Sequence, residues 1–397
     1  MNKSTTGKMG RPAYTLNGWI IIRGLRSPGV LLGMLGVLSS FAAAQRRWVV
    51  DPRPIFKVGG TADTGAVLQF PVGASVLADG RVMVADAGAS AVHLYSAKGT
   101  LLQSFGRNGS GPGEFRRIAW LGQCASDSIM VWDMSLRRLS VIDHGSGTVQ
   151  SRPFPQTAVP PPTTTFTCGR DGRIAYHSLP QRFGAAGSET PALRGTAPVI
   201  LFNPSDGSLA QIANVPTGEM AELGRSGGGR GAGPSPLGKV TTLAIVRDRL
   251  FVATADSASI SVYLLNGSPA GVLKVPAVQR VATDRAFNAS VDAIAPTLPA
   301  SRRAALIDEL RAVSRPRHLP PYATIHGDDA GVLWVDLTMP GDSDTRLLAF
   351  AAGDSTPTEV RVPRRLKVFE VGLNHIVGYF ESSGGEPGIA VFRLRRP

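Results

Sequence analysis

The stretch Gly80–Phe115 reads GRVMVADAGASAVHLYSAKGTLLQSFGRNGSGPGEF. It contains three short runs that are rich in β-branched or apolar residues and separated by Gly, Ser and Lys, namely Arg81–Asp86, Ala91–Ser96 and Leu101–Phe105. This pattern predicts three β-strands. A further apolar run, Val72–Ala78, meets the first of them at the tight turn Asp79-Gly80. Four strands in about 35 residues are the content of one blade of a β-propeller.

Copies of this pattern recur along the chain. Aligning Asp133 with Asp86 lays a second set of strands over the first, and a third copy puts His177 where the aspartates stand. Weaker copies of the second strand begin at Arg249, Val332 and Ile376. Six second-strand signals predict an all-β fold, a six-bladed β-propeller that occupies residues 45–397 as one domain.

The composition agrees with many short strands joined by tight turns. The 397 residues include 46 Gly and 30 Pro, and 43% of all residues are hydrophobic while only 18% are charged, which excludes a disordered chain. The formal net charge of +13 allows acidic polysaccharide, lipid headgroups or nucleic acid as partners. Because no basic patch with interleaved aromatic residues is present, we expect a solvated basic surface and no nucleic-acid binding.

The first 44 residues have the features of a secretory signal peptide. Five basic residues and no acidic ones precede the apolar stretch Val30–Phe41, which the small residues Ala42–Ala44 follow. This predicts a secreted or periplasmic protein. The alternative is an uncleaved membrane anchor, because Ser27–Ala44 is an uncharged run of marginally sufficient length. A membrane partner is expected only in that case.

The two ends of the chain complement each other. Ile55–Gly59 resembles Leu102–Gly106, which is the fourth strand of the first blade with its closing glycine. The C-terminal segment supplies three strand signals, Leu366–Val371, His375–Glu381 and Ile389–Leu394, and then ends. We therefore predict that the N-terminal strand closes the ring by pairing with the last strand, which removes two exposed sheet edges.

Two segments between blades interrupt the strand pattern. Phe287, Val291 and Ile294 have helical spacing, as do Leu306, Leu310 and Val313, so the insertion at about 284–315, between blades four and five, predicts two amphipathic helices. They would cap one mouth of the channel or form a lid that binds a partner. The glycine-rich segment 223–238, between blades three and four, is interpreted as a connecting turn and not a phosphate loop, because a strand follows it.

The motif at Val84–Phe115, V-A-D-x(5)-V-x-L-Y-S-x-x-G-x-L-L-x-S-F-G-R-x-G-x-G-P-G-E-F, resembles NHL-type repeats. It resembles still more closely the secreted bacterial proteins described only as six-bladed β-propellers. The resemblance covers the chain from Trp48 onward and is strongest in blades one and two. It implies a funnel-shaped ring of six blades and no particular reaction.

Four residues end second strands and would form part of a ring on one face: Asp86, Asp133, His177 and Asp336. A ring of carboxylates is a candidate ligand-binding site, since carboxylate oxygens bind cations. The alternative is that each side chain caps the turn that follows it. NHL-type repeats carry an aspartate here in blade after blade, which favours the turn cap.

No catalytic constellation is evident in the sequence. Gluconolactonase-like enzymes hold a divalent metal with one Glu, two Asn and one Asp, and this chain has no Asn at its second-strand ends. Amidating lyases use a His-ligated zinc, whereas the six His here occupy non-equivalent positions. We therefore expect a monomeric binding or scaffold propeller, without cofactor, that recognises a protein or glycan on its loop face. A metal-dependent hydrolase or lyase with its site at the channel mouth is the alternative.

The two cysteines occupy equivalent positions in neighbouring blades. Cys124 lies nine residues before Asp133, and Cys168 lies nine residues before His177, at the inner ends of first strands. An exported protein normally joins an even pair of cysteines, and first strands lie close enough to the axis to meet the distance requirement of about 7 Å. We predict a disulfide; the alternative is two buried thiols that pack as small hydrophobic residues.

The Ala42–Ala44 junction predicts a mature N-terminus at Gln45. Sequencing the N-terminus of the protein isolated from its native source tests this. Recovery of an intact 1–44 segment in the membrane fraction would instead support the anchor.

Overall fold

The computed structural model of the chain describes residues 48–60, 67–125, 128–154, 162–178, 194–224, 230–352 and 356–396. Within these residues the strands form six four-stranded antiparallel sheets and one separate two-stranded hairpin. The six sheets are the blades of a six-bladed β-propeller, which confirms the predicted fold class. The predicted signal peptide, residues 1–44, lies outside the described residues. Among the residues that are described, no helix is long and apolar enough to cross a membrane.

The strands follow the chain blade by blade, after an N-terminal strand β1 (Val49–Gly59). Blade one contains β2 (Pro71–Val76), β3 (Val82–Asp86), β4 (Ala91–Tyr95) and β5 (Leu101–Phe105). Blade two contains β6 (Ile118–Ala125), β7 (Ser128–Asp133), β8 (Arg138–Asp143) and β9 (Thr148–Pro153). Blade three contains β10 (Pro162–Cys168), β11 (Ile174–Ser178), β12 (Thr196–Phe202) and β13 (Leu209–Pro216).

A hairpin of β14 (Met220–Gly224) and β15 (Arg230–Pro234) separates blades three and four. Blade four contains β16 (Thr242–Val246), β17 (Arg249–Ala253), β18 (Ser259–Leu264) and β19 (Pro269–Lys274). The helices α1 (Asp284–Ile294) and α2 (Arg303–Arg311) follow. Blade five contains β20 (Thr324–Gly327), β21 (Leu333–Asp336), β22 (Thr345–Phe350) and β23 (Thr358–Val362). Blade six contains β24 (Lys367–Val371), β25 (His375–Glu381) and β26 (Pro387–Arg395), together with β1.

The hydrophobic core lies between neighbouring blades. Second strands such as β3 are buried along their whole length, because both of their faces pack against an adjacent blade. The outer strand β5 is exposed except at Phe105, which packs with Phe115 and Ile118 where blade two begins. Gly106 lies between these elements with φ +85°, and a Cβ atom there would lie 2.4 Å from Phe115 Cδ2. A glycine therefore closes this blade, because other residues lack both the space and the backbone freedom.

The N-terminal strand closes the ring as predicted. β1 pairs antiparallel with β26, with Val58 opposite Ile389 and Phe56 opposite Val391. The pairing extends further back than predicted, to Val49 opposite Arg395, with irregular register around Pro54. Blade six is thus built from both ends of the chain. β1 therefore pairs with the edge of β26 that would otherwise be exposed.

Arg396 adds a second connection between the two ends. Its guanidinium lies 4.8 Å from the ring centroid of Trp48 and donates to Asp328 Oδ2 at 2.6 Å. The ring of Trp48 in turn meets that of Trp334 edge to face, with 5.1 Å between centroids. Asp328 also accepts a hydrogen bond from Trp334 Nε1 at 2.7 Å, so its fully buried carboxylate is paired. A cation between two aromatic rings and a buried carboxylate stabilises the seam between blades five and six.

The predicted disulfide is present. Cys124 in β6 and Cys168 in β10 are bonded, with their Cα atoms 5.4 Å apart, so the first strands of blades two and three are joined beside the axis. In the chain-entropy description, closing a loop of 44 residues stabilises the fold by roughly 4 kcal/mol.

The predicted helices are also confirmed. Thr283 caps α1, since its side-chain oxygen accepts from the Ala286 N–H at 3.1 Å. Phe287 and Val291 of α1 and Leu306 and Leu310 of α2 are buried together. Short 3₁₀ turns at Ala295–Thr297 and Ala300–Arg302 connect the two helices.

The glycine-rich segment is more ordered than the sequence indicates. It was interpreted as a connecting turn, but within the connection β14 and β15 form a hairpin whose tip lies outside the described residues. Ala221 and Leu223 of β14 are buried against the helices, and the Gly224 N–H donates to Glu309 Oε2 at 2.6 Å. The hairpin is therefore stabilised by contacts with an insertion about 80 residues further along the chain, which local propensity does not report. We call β14, β15, α1 and α2 the cap.

Ring closure predicts an unequal effect of two neighbouring substitutions in β1. Phe56 is 6% exposed and packs edge to face on Tyr95 of blade one, with 6.2 Å between ring centroids. Phe56→Ala should lower the free energy of unfolding by about 3–5 kcal/mol in urea titrations. Ile55 is 49% exposed, so Ile55→Ala should change it by no more than about 0.5 kcal/mol. Equal effects would contradict the described pairing.

Candidate functional site

The first strands of the six blades surround a central channel of about 2820 Å³. All six described first strands contribute residues to its wall: β2, β6, β10, β16, β20 and β24. Because consecutive strands of each blade are antiparallel, second strands end at one face of the ring, where the connections between blades also lie. The turns that join first to second strands lie at the opposite face. The channel is a large concave surface enclosed by all six blades and is the candidate site.

The cap lies over the face where second strands end. It is held by Arg280, whose guanidinium nitrogens bind Asp342 in blade five, one of them at 3.0 Å, and by the Leu237 N–H, which donates to Ser290 Oγ of α1 at 2.9 Å. Residues of α1 and of the segment after it line the channel. Pro296 and Arg303 face Phe70 of blade one across a small cleft. Since blade one lies opposite blade four in a ring of six, the cap extends across the mouth.

The opposite mouth is narrowed by charged side chains. Arg170, in the turn after β10, forms a two-bond ion pair with Asp329, in the turn after β20, with Nε to Oδ1 at 2.6 Å. This pair joins blades three and five past the turn of blade four. Glu370 of β24 binds His375 Nε2 at 2.8 Å and also accepts from the Ser75 hydroxyl, which connects blade six to blade one. Arg170, Asp329, Glu370 and His375 at this mouth are thus engaged with each other in pairs.

Asp86 and Asp133 use their carboxylates inside the fold. Both side chains are fully buried. Asp86 accepts from the Gln69, Phe70 and Gly88 N–H groups at 2.7–3.0 Å and from the Ala89 N–H at 3.3 Å. Asp133 accepts four backbone N–H groups in the equivalent way, those of Arg116, Arg117, Ser135 and Leu136. These bonds tie each second strand to the start of its own blade and to the following turn.

His177 and Asp336 occupy the equivalent positions in blades three and five. His177 is buried, its Nε2 lies 3.3 Å from the Ala197 carbonyl oxygen, and burial lowers its pKa. Asp336 accepts from the Thr338 N–H at 2.8 Å, and burial raises the pKa of its carboxyl to about 7. Of the four predicted ring residues, Asp336 lines the channel. A ligand-binding role for the set stays a prediction. Within the described residues, no three His, Cys, Asp or Glu side chains are grouped closely enough to hold a metal ion.

Several polar groups of the channel wall were missed by the sequence analysis. The Nε2 atom of His326 in β20 and the Oγ1 atom of Thr242 in β16 are buried without a hydrogen-bond partner among the described residues. Burial lowers the pKa of His326 to about 4, so its imidazole is neutral at pH 7. Both belong to first strands, whose positions vary from blade to blade. The repeat alignment, which rests on second strands, carries no signal for them.

Four basic residues of the channel wall have no acidic partner in the described part of the chain: Arg117, Arg247, Arg365 and Lys367. Arg247 lies in the turn after β16, at the opposite mouth, and donates to the Ala330 carbonyl oxygen at 2.9 Å. Arg365 lies two residues before Lys367, the first residue of β24, and Arg117 immediately precedes β6, so these three lie near the capped mouth. Their side chains remain accessible to solvent within the channel.

Comparisons with known proteins leave the activity open. No protein-family model matches the chain, and no curated protein matches it. Virginiamycin B lyase from Staphylococcus aureus is 13% identical over 88% of this chain and 100% of its own, with a TM-score of 0.43. A gluconolactonase from Xanthomonas campestris is 13% identical over 83% of this chain and 87% of its own, with a TM-score of 0.43. The WD40 repeats of RRP9 are 10% identical over 87% of this chain and 100% of their own, with a TM-score of 0.45.

Asp336 predicts a pH-dependent effect of one substitution. Its folded pKa of about 7 lies above the ordinary value of 3.8, so the folded protein binds more protons than the unfolded chain between these pH values, and stability falls as pH rises through this window. Asp336→Asn removes this loss and should raise the free energy of unfolding at pH 8 by up to about 4 kcal/mol. The gain should shrink toward pH 4. Asp308→Asn on exposed α2, measured by the same urea titrations, should show no such trend.

Proposed function

We propose that this protein is a secreted or periplasmic binding propeller that takes part of a glycan or protein ligand into its central channel from the capped face. The observation that carries the proposal is the channel itself, which all six first strands enclose and whose wall contains basic side chains without an acidic partner, such as Arg365. Charged groups that no carboxylate neutralises are available to a polar ligand.

The size of the channel supports an extended ligand. Pockets for small molecules measure about 300–1,000 Å³, and this channel is larger. Several sugar rings or a short peptide segment would fit, whereas the cap would keep a folded domain outside. The opposite mouth is crossed by the pair of Arg170 and Asp329, so the proposal places ligand entry at the capped face.

The location in this proposal is supported by the disulfide. Bonds between cysteines form and persist in oxidising compartments and are rare in the bacterial cytosol. The bond between Cys124 and Cys168 therefore favours export, as does the predicted signal peptide.

The alternative is a metal-dependent hydrolase or lyase with its site at the channel mouth. Such an enzyme would need ligands such as His, Asp or Glu grouped around a metal. No observation among the described residues favours this alternative over binding.

A channel-blocking substitution tests the proposal. When the purified protein is applied to an array of microbial and plant glycans and short peptides, it should bind at least one of them. Thr324 lines the channel in β20, and Thr324→Trp should abolish that binding by filling the lumen. Thr148→Trp, which places the same ring on the exposed outer strand β9, should leave it unchanged.

A second measurement uses the wild-type protein and therefore tests the proposal even if the Thr324→Trp variant does not fold. Hydrogen exchange of the wild-type protein should slow at the channel strands β16 and β20 when the array ligand is added. Ligands that bind both tryptophan variants equally and protect no channel strand would overturn the proposal.

A further inference from the structure

Arg365 and Lys367 are two cations on one wall of the channel. Lys367 is the first residue of β24, Arg365 lies two residues before it, and both line the channel. Other basic residues of the wall are engaged: Arg170 pairs with Asp329, and Arg302 lies 3.8 Å from Glu309. Arg365 and Lys367 have no acidic group within 4.0 Å in the described part of the chain.

The surroundings of Lys367 disfavour its positive charge. Its Nζ atom lies 5.7 Å from the ring centroid of Phe369, and it is paired across the sheet with Tyr379. The nearby acid Glu381 accepts from the Tyr379 hydroxyl at 2.6 Å and forms no ion pair with Lys367. Desolvation within the channel lowers the pKa of Lys367. Lys367 is nevertheless exposed in the channel, so an anion can reach a charge that no carboxylate neutralises.

Asp336 does not neutralise these cations. Its carboxyl is 4% exposed and is bonded to the Thr338 N–H, and burial favours its protonated form up to about pH 7. The positive charge of Arg365 acts on it at a distance, without an ion pair between the two. The positive charge of the wall therefore remains available to a ligand.

The chemistry of the wall indicates which anion fits. A guanidinium binds a carboxylate through two parallel hydrogen bonds, and an ammonium beside it adds a point charge. The Phe369 ring next to Lys367 offers an apolar face to the C–H groups of a sugar ring. Carboxylates and sugar-ring faces occur together in oligosaccharides of uronic acids.

We infer that Arg365 and Lys367 form a carboxylate-binding subsite and that the channel ligand is an acidic oligosaccharide. This inference rests on the proposed function and names the ligand class of the same channel. Arg117, another unpaired cation of the wall, lies on blade two and provides a further contact for a ligand with several carboxylates.

Calorimetry with three matched hexamers tests the inference. Hexagalacturonate should bind the purified protein, and neutral maltohexaose should bind at least about tenfold more weakly, because a hydrogen bond to a charged group contributes about a tenfold to hundredfold change in affinity. Hexaglutamate, which carries carboxylates without sugar rings, should also bind more weakly. Equal affinities for maltohexaose and hexagalacturonate would contradict the carboxylate subsite. A higher affinity for hexaglutamate than for hexagalacturonate would contradict a glycan ligand.

Two double variants locate the binding. R365Q/K367M should weaken hexagalacturonate binding by about tenfold to a hundredfold. R249Q/K274M removes the same two charges from exposed strands of blade four and should change the affinity less than about twofold at 0.15 M salt. Equal losses in both double variants would assign the effect to net charge and overturn the subsite.

A labelling experiment on the wild-type protein does not depend on the folding of variants. Lys367 is one of five lysines in the described residues, with Lys57, Lys98, Lys239 and Lys274. Competitive acetylation followed by mass spectrometry should show Lys367 losing its proton at a lower pH than Lys274. Hexagalacturonate should slow acetylation of Lys367 at least about fivefold and leave Lys274 unchanged; equal protection of both would contradict the inference.

The outcomes separate this inference from the proposed function. A ligand that binds in the channel and is neutral would overturn the acidic class and leave the proposed function standing. An array without any channel-dependent ligand would overturn both.

Discussion

The antiparallel pairing of β1 with β26 is the constraint on which the rest of the fold depends. An open ring would leave the edge of β26 unpaired and would separate blade six from blade one. Because Phe56 and Val58 of β1 are buried with residues of blade one, closure also sets the position of the first blade. Six first strands then surround one axis, and the channel exists because that arrangement is complete. Arg396, between the rings of Trp48 and Trp334, strengthens the same seam.

The two mouths of the channel differ in chemistry as a result of where the insertions occur. Both elements of the cap belong to connections between blades, so they lie at one face. The opposite face has short turns, and Arg170 and Asp329 meet across it. Arg170 and Asp329 at that mouth are ion-paired, whereas Arg365 and Lys367 near the capped mouth have no acidic partner among the described residues. The two ends of the channel therefore differ in how their charged side chains are engaged.

Much of the architecture was predictable because it repeats. The strand pattern around Asp86 and Asp133 recurs with its turn residues, and the burial of both carboxylates explains why the motif is easy to recognise. The spacing of Cys124 and Cys168 relative to that motif was sufficient to place them side by side. Helical spacing likewise identified α1 and α2. These features depend on local pattern or on repeat equivalence, both of which a single sequence contains.

The candidate site was less predictable because its residues do not repeat from blade to blade. Lys367 and His326 lie on first strands, and their importance comes from what the other five blades place around them. The β14–β15 hairpin depends on Glu309 and the packed helices, which are distant in sequence. An isolated lysine or a glycine-rich run carries no sign of such surroundings. Non-repeating, long-range contacts are the part of this molecule that pattern analysis does not reach.

Building one blade from both ends also has a consequence for the order of folding. Asp51 of β1 and Arg395 of β26 are ion-paired but lie 344 residues apart in the chain. During synthesis β1 emerges first and has no partner until the last strand is available, so a truncated chain has no route to a sealed ring. Contacts of such long sequence separation slow folding. The step that completes the ring is therefore the last one that becomes available to the growing chain.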